Sequence, residues 1–233
     1  MTHREPWSTY DTNAIPEAPL SALASSLVAD FLASHRPRQV PHSSGPAEAL
    51  AALRFFDLRR ERATIAGILI LGTTPEDYLP GARVEFVRWR GNEQQRRLLS
   101  GPMGTVISSA HALLAPCQSD YPEWALKELL HNALAHRDYA SVAPTLLHWF
   151  DDRIEITNPG GLSGLTTAAS LRTFGEYRNP VVGDALKKLG FVNRWGLGLQ
   201  QVDELLATNG YPPLQIKADA EFFRVSVMAR VLA

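Results

Sequence analysis

An amphipathic helix constrains the fold of this chain more than any other part of its sequence. It runs from Glu123 to Arg137, and its apolar residues recur every three or four positions, so they form one stripe that must face a core. Glu128 and Asn132 lie four residues apart and therefore stack on nearly the opposite side. The stripe consists of Leu126, Leu129, Leu130, Ala133 and Leu134. The segment predicts a helix that is buried along one side and carries a carboxylate and a carboxamide on the other.

Two strand-like runs follow this helix and predict a β-hairpin. They are TLLHWF and RIEIT, joined across Asp151 and Asp152. The run from Asn158 to Gly161 predicts a turn directly after the second strand. Further helices are predicted around 182–189 and 199–208, followed by two strand-like runs, LQIKA and FFRVSVMA.

The first half of the chain mixes helical and strand-like segments. Residues 19–35, 47–56 and 108–114 predict helices, whereas TIAGILILG predicts a buried strand. The run ARVEFVRWRG also predicts a strand, but its alternation changes phase, since Val84 and Phe86 share one face while Val87 and Trp89 share the other. A bulge near Phe86 and Val87, or burial on both faces of the strand, explains this pattern.

Composition sets broad limits on function. The formal net charge of -1 excludes a strong, non-specific field for nucleic acids, although a local basic patch is compatible with it. The single cysteine, Cys117, allows no intrachain disulfide and no multi-cysteine zinc site. No apolar run has the ~18 to 20 residues that a membrane span needs. These features predict a cytoplasmic protein without a membrane partner.

A group of arginines lies in and after the second predicted strand of the first half. The group indicates either a solvated strand face with its loop or a phosphate-binding surface. Its members are Arg83, Arg88, Arg90, Arg96 and Arg97.

Two glycine-containing segments lie downstream of the amphipathic helix, in positions suited to a flat, phosphorylated ligand. Asn158-Pro159-Gly160-Gly161 follows a strand directly, and glycine lets the backbone approach a ring closely. The run RWGLGL at 194–199 opens a predicted helix, where small residues leave N–H groups aimed at phosphates. A hairpin exit turn and a helix-entry turn are the structural alternatives. In the helix itself, the amide oxygen of Asn132 suits Mg²⁺, and the Glu128 carboxylate can orient or deprotonate a water.

The order of these parts resembles the ATP-binding domain of the GHKL superfamily, the Bergerat fold of the gyrase, heat-shock-90, histidine kinase and MutL types. That superfamily has E-x-x-x-N on a helix, then D-x-G-x-G and a later G-x-G. The corresponding positions here run from Glu128 to Asn132, from Asn158 to Leu162 and from Gly196 to Gly198. A divergent bacterial branch, the RecG-like C-terminal domains, is more similar through the runs ELLHNALAHRDY, DDRIEITNPGGL, RNP and WGLGL. The stretch TIAGILILGTTPEDYLPGARVEFVRWRG looks like the end of the Schlafen AlbA-like domain that precedes the ATPase-like domain in those proteins.

The resemblance implies a role for each matching residue. Asn132 would coordinate Mg²⁺, and Glu128 would position the attacking water. Asn158 stands where the superfamily has the aspartate that accepts a hydrogen bond from the adenine amine, and Leu162 replaces the last glycine of that motif. For the other positions, Gly160 and Gly161 would line the base pocket, Gly196, Leu197 and Gly198 would approach the phosphates, and Arg178 would lie in a lid or on the opposite rim.

The expected fold class is α+β. It combines a GHKL-like two-layer sandwich, with helices on a mixed and mainly antiparallel sheet, and an incomplete AlbA-like α/β region before it. The expected division is 1–17 as a tail or connector, 18–110 as the partial AlbA-like region with its helical lead-in, and 111–233 as the nucleotide-binding domain.

By resemblance, the chain is expected to be a Mg-ATP-binding module of a bacterial transcriptional regulator. An adenine nucleotide and Mg²⁺ are the expected ligands, hydrolysis of ATP is left open, DNA is a partner through the AlbA-like region, and a homodimer is compatible with the family. A helicase is not expected, because no G-x-x-x-x-G-K-[ST] run is present.

The alternative is a non-catalytic module that associates with DNA or dimerises and keeps the fold without a nucleotide. The departures at Asn158 and Leu162 and the arginine-bearing strand around Arg88 support it. The run from His136 to Tyr139 belongs to the family pattern, and local pairing of Asp138 with Arg137 at the helix end is the structural alternative to a catalytic role.

Overall fold

A mixed sheet forms the centre of the molecule in the computed structural model, which describes residues 9–161, 178–191 and 198–230. The strands are β1 Phe56–Asp57, β2 Arg62–Ala63, β3 Val84–Arg90, β4 Glu93–Leu99, β5 Thr145–Trp149, β6 Arg153–Pro159, β7 Gln215–Ala218 and β8 Phe222–Met228. Among the described residues, six of them form the central sheet in the order β4-β3-β5-β6-β8-β7, and β1 and β2 form a separate pair. Within the central sheet β3 and β5 run parallel, and the other neighbours run antiparallel.

Helices pack with this sheet, and one of them is central. The described helices are α1 Ser25–His35, α2 Pro46–Ala52, α3 Ile65–Leu71, α4 Pro75–Tyr78, α5 Met103–Leu114, α6 Glu123–His136, α7 Pro180–Lys188 and α8 Gly198–Thr208. Helix α6 contacts α5, α7, α8 and β6, so it joins the other helices to the sheet. The predicted α+β class, with helices on a mixed and mainly antiparallel sheet, is confirmed. No described helix is both long and apolar enough to cross a membrane.

The central sheet includes strands from both halves of the chain. Strand β3 pairs in parallel with β5, from Val84 opposite Thr145 to Arg88 opposite Trp149. The sheet therefore continues across the boundary predicted near residue 110. Part of the stretch predicted as a tail is also packed, because Asp11 is fully buried and its Oδ2 accepts hydrogen bonds from the backbone N–H groups of Val181 and Val182, at 2.7 and 3.1 Å. Asp11 thus caps the start of α7.

The buried strand predicted at TIAGILILG is wrong, because Ile65–Leu71 forms helix α3. Thr64 caps this helix, and its Oγ1 accepts a hydrogen bond from the N–H of Gly67 at 3.1 Å. All seven helical residues are buried, so no polar face breaks the run and reveals a helical period. A Cβ on Gly67 would lie 2.9 Å from the carbonyl carbon of Phe55, so the close packing of this helix requires glycine there.

Strand β3 is predicted correctly, but the bulge proposed near Phe86 and Val87 is absent. Its pairing with β4 runs without interruption from Val84 opposite Leu99 to Arg90 opposite Glu93. Phe86 and Val87 are both buried although they point to opposite faces. The alternative of burial on both faces is therefore confirmed.

Strand β4 was not predicted. Its sequence, EQQRRLL, is polar, and six of its seven residues are exposed at the edge of the sheet. The strand forms because every one of its residues pairs with β3. Since this pairing stabilises the strand, its own sequence needs no alternating hydrophobic pattern.

Candidate functional site

Glu128 and Asn132 form a bonded pair inside the molecule, on the side of α6 that the sequence places opposite its main apolar stripe. Glu128 is only 5% exposed, and Asn132 is half-buried. The Nδ2 group of Asn132 donates to Oε1 of Glu128 at 3.3 Å. The pair does not face solvent as exposed helix residues usually do, because α8 packs against α6.

Gly198, the first residue of α8, lies directly against this pair. A Cβ at this position would be 2.9 Å from Cδ of Glu128 and 2.8 Å from Nδ2 of Asn132. Since real Cβ atoms essentially never approach other atoms this closely, only glycine fits without a shift. The carboxylate therefore lies at the positive end of the α8 dipole, where an anion is favoured.

Burial raises the pKa of the Glu128 carboxyl above its ordinary value, and the hydrogen bond from Asn132 offsets part of that rise. The cause is desolvation, which disfavours the charged form. A carboxylate with a raised pKa is a stronger base than a solvated one, so Glu128 is suited to orienting or deprotonating a water.

Asn158 connects the sheet to the same helix. It lies in β6 and is 3% exposed. Its Oδ1 accepts a hydrogen bond from Oγ1 of Thr145 at 2.7 Å, and its Nδ2 donates to the backbone carbonyl of Ala133. Both ends of the Asn158 carboxamide thus bind protein groups, and one of these groups belongs to Ala133, the residue after Asn132. The expected role of Asn158 in reading adenine stays a prediction, and the structure gives the side chain a second task, which is to hold α6 on the sheet.

The glycine pair after β6 receives an arginine from a distant part of the chain. Gly160 has a φ of +83°, and a Cβ there would lie 2.7 Å from Cβ of Asp138. Arg178 donates from Nη2 to the carbonyl of Gly161 at 2.7 Å, and its Nη1 lies 3.5 Å from Oδ2 of Asp138. The structure therefore brings Gly160, Gly161 and Arg178 together at the C-terminal end of α6.

The end of α6 is held by a buried arginine. Arg137 is 0% exposed and donates to the backbone carbonyls of Asp138 at 2.8 Å, of Ser141 at 3.2 Å and of Ala143. The predicted helix cap is confirmed, because Arg137 is the C-cap residue of α6 and donates to the backbone carbonyl of Asp138. The carboxylate of Asp138, in contrast, pairs with Arg178. The physical reason is burial, because carbonyls around the guanidinium satisfy its donors where no carboxylate is enclosed.

Sequence reasoning missed the role of Asn179. This fully buried side chain donates from Nδ2 to the carbonyls of Ala135 at 3.0 Å and Arg137 at 2.8 Å, so it satisfies the last turn of α6. The signal was present in the RNP run, where an asparagine stands directly before Pro180 at the start of α7.

The predicted site residues thus gather along α6. Glu128 and Asn132 both contact Gly198. Asn158 binds the backbone carbonyl of Ala133, and Gly160 and Gly161 lie at the C-terminal end of the helix. Gly196 and Leu197, which were predicted to approach phosphates, and Leu162 lie outside the described residues.

A histidine pair links α5 to α6 beside this site. Nε2 of His131 lies 3.1 Å from Nε2 of His111, and both rings contact Phe191. Burial, the neighbouring His111 and Lys127 lower the pKa of His131 to about 3, and burial with Lys127 lowers that of His111. Burial and Arg178 also lower the pKa of His136 to about 4.

These buried histidines predict a loss of stability at acidic pH. An unfolded histidine takes up its proton near pH ~6.5, whereas folded His131 resists protonation down to about 3, so stability falls as the pH drops through that window. We expect His131 alone to cost about 2 kcal/mol at pH ~5 relative to pH ~7. Urea unfolding at both pH values measures this loss.

Two glutamine variants make that prediction specific. His131→Gln removes the titrating group, so its stability should change about 2 kcal/mol less between the two pH values than that of the wild type. His42→Gln changes an exposed histidine and should leave the loss unchanged. Equal acid sensitivity of the wild type and His131→Gln would show that this histidine is not the cause.

The comparisons with known proteins agree with this architecture. Residues 143–227 match the family model described as putative ATP-dependent DNA helicase recG C-terminal. The DIP2311 protein from Corynebacterium diphtheriae has a similar structure, with a TM-score of 0.73 at 18% identity. That likeness covers 95% of this chain and 40% of the DIP2311 chain, so the present chain spans less than half of that protein's length, and it establishes the fold alone. No curated protein matches the chain.

The family match begins after α6, so the Glu128–Asn132 pair is placed beside the matched region by the fold and not by the match itself. Within the matched region lie the hairpin β5–β6, helices α7 and α8, and strand β7 with most of β8. Residues 143–227 of the chain are thus similar to the RecG C-terminal-like ATPase domains, a family that is interpreted as a GHKL type.

Proposed function

We propose that this chain binds a magnesium–nucleotide, with ATP as the preferred ligand, at the junction of α6 and α8. The observation that supports it most is the meeting of three predicted site residues, Glu128, Asn132 and Gly198, at the N-terminal end of α8. A helix N-terminus favours phosphate groups, and glycine lets the backbone of α8 come close to the Glu128–Asn132 pair.

The donor set at this junction fits Mg²⁺. The Asn132 amide nitrogen is directed at Glu128, so its oxygen points elsewhere and is the group that would hold the ion, with the Glu128 carboxylate as the neighbouring hard oxygen donor. The described residues contain no cluster of three or more histidine, cysteine or acidic ligands. In such a site Mg²⁺ would take its remaining ligands from water and from the phosphates of the nucleotide. The ion would neutralise part of the phosphate charge.

The remaining groups position the ligand in this proposal. Asn158 fixes the sheet against α6, and the Gly160–Gly161 turn with Arg178 forms the rim at the other end of the helix. Glu128 carries the raised pKa that a water-positioning base requires. We infer binding with slow hydrolysis at most, in a module of a bacterial transcriptional regulator that works in the cytoplasm.

The rival function is a non-catalytic module that binds DNA or dimerises. One residue of the arginine group that supports this alternative, Arg88, points to the core side of the sheet. Its guanidinium lies 3.8 Å from the Trp149 ring centroid and donates to the carbonyls of Trp149 and Phe150. The guanidinium of Arg88 is therefore occupied within the protein.

Thermal unfolding with Mg²⁺ and ATP, ADP or GTP tests the proposed function. A ligand at ~100 times its Kd adds roughly 2.7 kcal/mol, or about 5–10 °C in Tm for a chain of this size. Asn132→Ala should lose this gain, whereas Asn92→Ala, at the exposed turn between β3 and β4, should keep it. An unchanged Tm at millimolar nucleotide would contradict nucleotide binding and favour the non-catalytic module.

A further inference from the structure

The central sheet has a second face, which we call the outer face. The pairing registers place Arg96, Val87, His148, Glu155, Ser226 and Gln215 in one row that crosses all six strands on this face. Since neighbours along a strand point to opposite sides, the adjacent residues Phe86, Leu147, Ile156 and Val225 lie on the other face, within the hydrophobic core.

The sheet residues that join the hydrophobic core of the described chain are those of the inner face. Val87 and Trp89 point outward and do not belong to the hydrophobic core. Val87 is nevertheless only 1% exposed. The side chains of the outer face thus stand apart from the hydrophobic core of the described residues.

Aromatic rings occupy two places on the outer face. Trp89 stacks on Phe150 with ring centroids 5.7 Å apart, and His148 meets both rings edge to face. Phe222 lies elsewhere on the face, beside the end of β6 that is distant from Arg153. These rings are half-buried, so each keeps part of its surface open to a ligand.

Cations accompany both groups of rings. Arg153 lies over Phe150 at 4.1 Å, and Arg224 and Lys217 lie over Phe222 at 5.4 and 5.7 Å. Glu155 lies 2.8 Å from Arg153 and 3.7 Å from Arg224, and Arg153 also pairs with Asp152 at 2.8 Å.

The strands place more cations than carboxylates on the outer face, in a chain whose net charge is -1. By the register, the strands place four cations on it, Arg96, Arg153, Arg224 and Lys217, and two carboxylates, Glu85 and Glu155. The Arg96 side chain is 63% exposed beside Glu85, and Lys217 is exposed, so both are accessible to an anion.

We propose that the outer face binds single-stranded nucleic acid. The open parts of these half-buried rings offer stacking surfaces to unpaired bases, and the cations beside them offer contacts to the phosphates. A duplex hides the faces of its bases, so this combination favours a single strand. The surface lies on the opposite side of the sheet from α6, so it is separate from the nucleotide site and does not depend on it.

Fluorescence anisotropy with labelled oligothymidylate and oligouridylate tests this proposal. Strands of about 12 nucleotides suit a surface of this kind, for which sites of roughly 4–16 nucleotides are usual. We expect saturable binding that weakens between about 50 and 200 mM salt, and tighter binding of either strand than of a duplex of the same length. A difference between the DNA and the RNA strand would identify the preferred sugar.

Two neighbouring arginines provide a matched pair of variants. Arg96→Glu reverses a charge on the outer face, and Arg97→Glu makes the same change at the next residue of β4, which points to the other face. Arg96→Glu should weaken binding about tenfold and reduce the salt dependence, while Arg97→Glu leaves both unchanged. Trp89→Ala should weaken binding about tenfold as well, through lost stacking.

Three results would overturn the proposal. These are no binding of either strand at micromolar protein and low salt, equal loss of affinity in Arg96→Glu and Arg97→Glu, and equal affinity for the duplex. Because Arg96 is exposed, its variant reports on binding even where Trp89→Ala is destabilised. Dimerisation that Arg96→Glu abolishes, without nucleic-acid binding by the wild type, would assign the face to a second copy of the chain.

Discussion

Replacing Gly198 with alanine is expected to remove the stabilisation by Mg²⁺-ATP and to destabilise the fold by about 1 kcal/mol, at the low end of the cost of overpacking, because the atoms it meets are side-chain ends. The new methyl group would lie 2.9 Å from Cδ of Glu128 and 2.8 Å from Nδ2 of Asn132, so α8 must shift away from α6 or the pair must move. Either movement separates the three groups that the proposed site brings together. Thermal unfolding with and without Mg²⁺-ATP measures both effects, with about 2–4 °C of Tm for each kcal/mol.

Gly104 provides the matched control for this variant. It also lies in the first turn of a helix, α5, but a Cβ there would meet its nearest atom, Cε2 of Phe191, at 3.8 Å, which is ordinary contact. Gly104→Ala should therefore raise stability by about 0.5–1 kcal/mol, as expected where a helix accepts the side chain, and should keep the response to ATP. A Gly198→Ala protein as stable as Gly104→Ala would contradict the close packing of α8 against Glu128.

Replacing Arg137 with methionine is expected to cost about 3 kcal/mol or more of folded stability. Methionine keeps the apolar stem but leaves the carbonyls of Asp138, Ser141 and Ala143 without their donor in a fully buried place. Each unsatisfied buried acceptor costs about 1–3 kcal/mol. The effect concerns stability and not ligand chemistry, because Arg137 supports the end of α6 and the loop before β5.

Arg60→Met is the control for that variant, because Arg60 is 71% exposed and bonds only to Asp57 at the surface in the described contacts. Its loss should change stability by less than about 1 kcal/mol. Chemical denaturation of both variants gives the two free energies. An Arg137→Met protein within 1 kcal/mol of the wild type would mean that water or a backbone shift satisfies the three carbonyls.

The elements with a strong period were predictable from sequence. Helix α6 has an apolar stripe at helical spacing, and β5 and β6 alternate on either side of a two-aspartate turn, so local residues alone determine their type. Helix α3 could not be recognised, because burial on all sides removes the period that distinguishes a helix from a strand. Strand β4 was missed for the opposite reason, since an exposed edge strand needs no apolar residues.

The candidate site was predictable only as a set of residue types. The sequence gives no sign that Gly198 packs on Glu128, because 70 residues separate them and the contact depends on how α8 docks against α6. The engagement of Asn158 with Thr145 and Ala133 likewise depends on strand pairing and helix position. The outer face required the strand register, because the sequence of β3 alone placed hydrophobic residues on both sides without deciding which side faces the core.

Calorimetric titration of Mg²⁺-ATP into the wild type and Asn132→Ala tests the central claim most directly. Asn132 is half-buried and bonds to Glu128, so alanine removes the amide oxygen that would hold the ion while the helix remains. We predict saturable binding by the wild type that requires Mg²⁺ and is weakened about tenfold or more in the variant. Absence of binding at millimolar Mg²⁺-ATP, or equal affinity of the two proteins, would contradict a nucleotide site at the junction of α6 and α8.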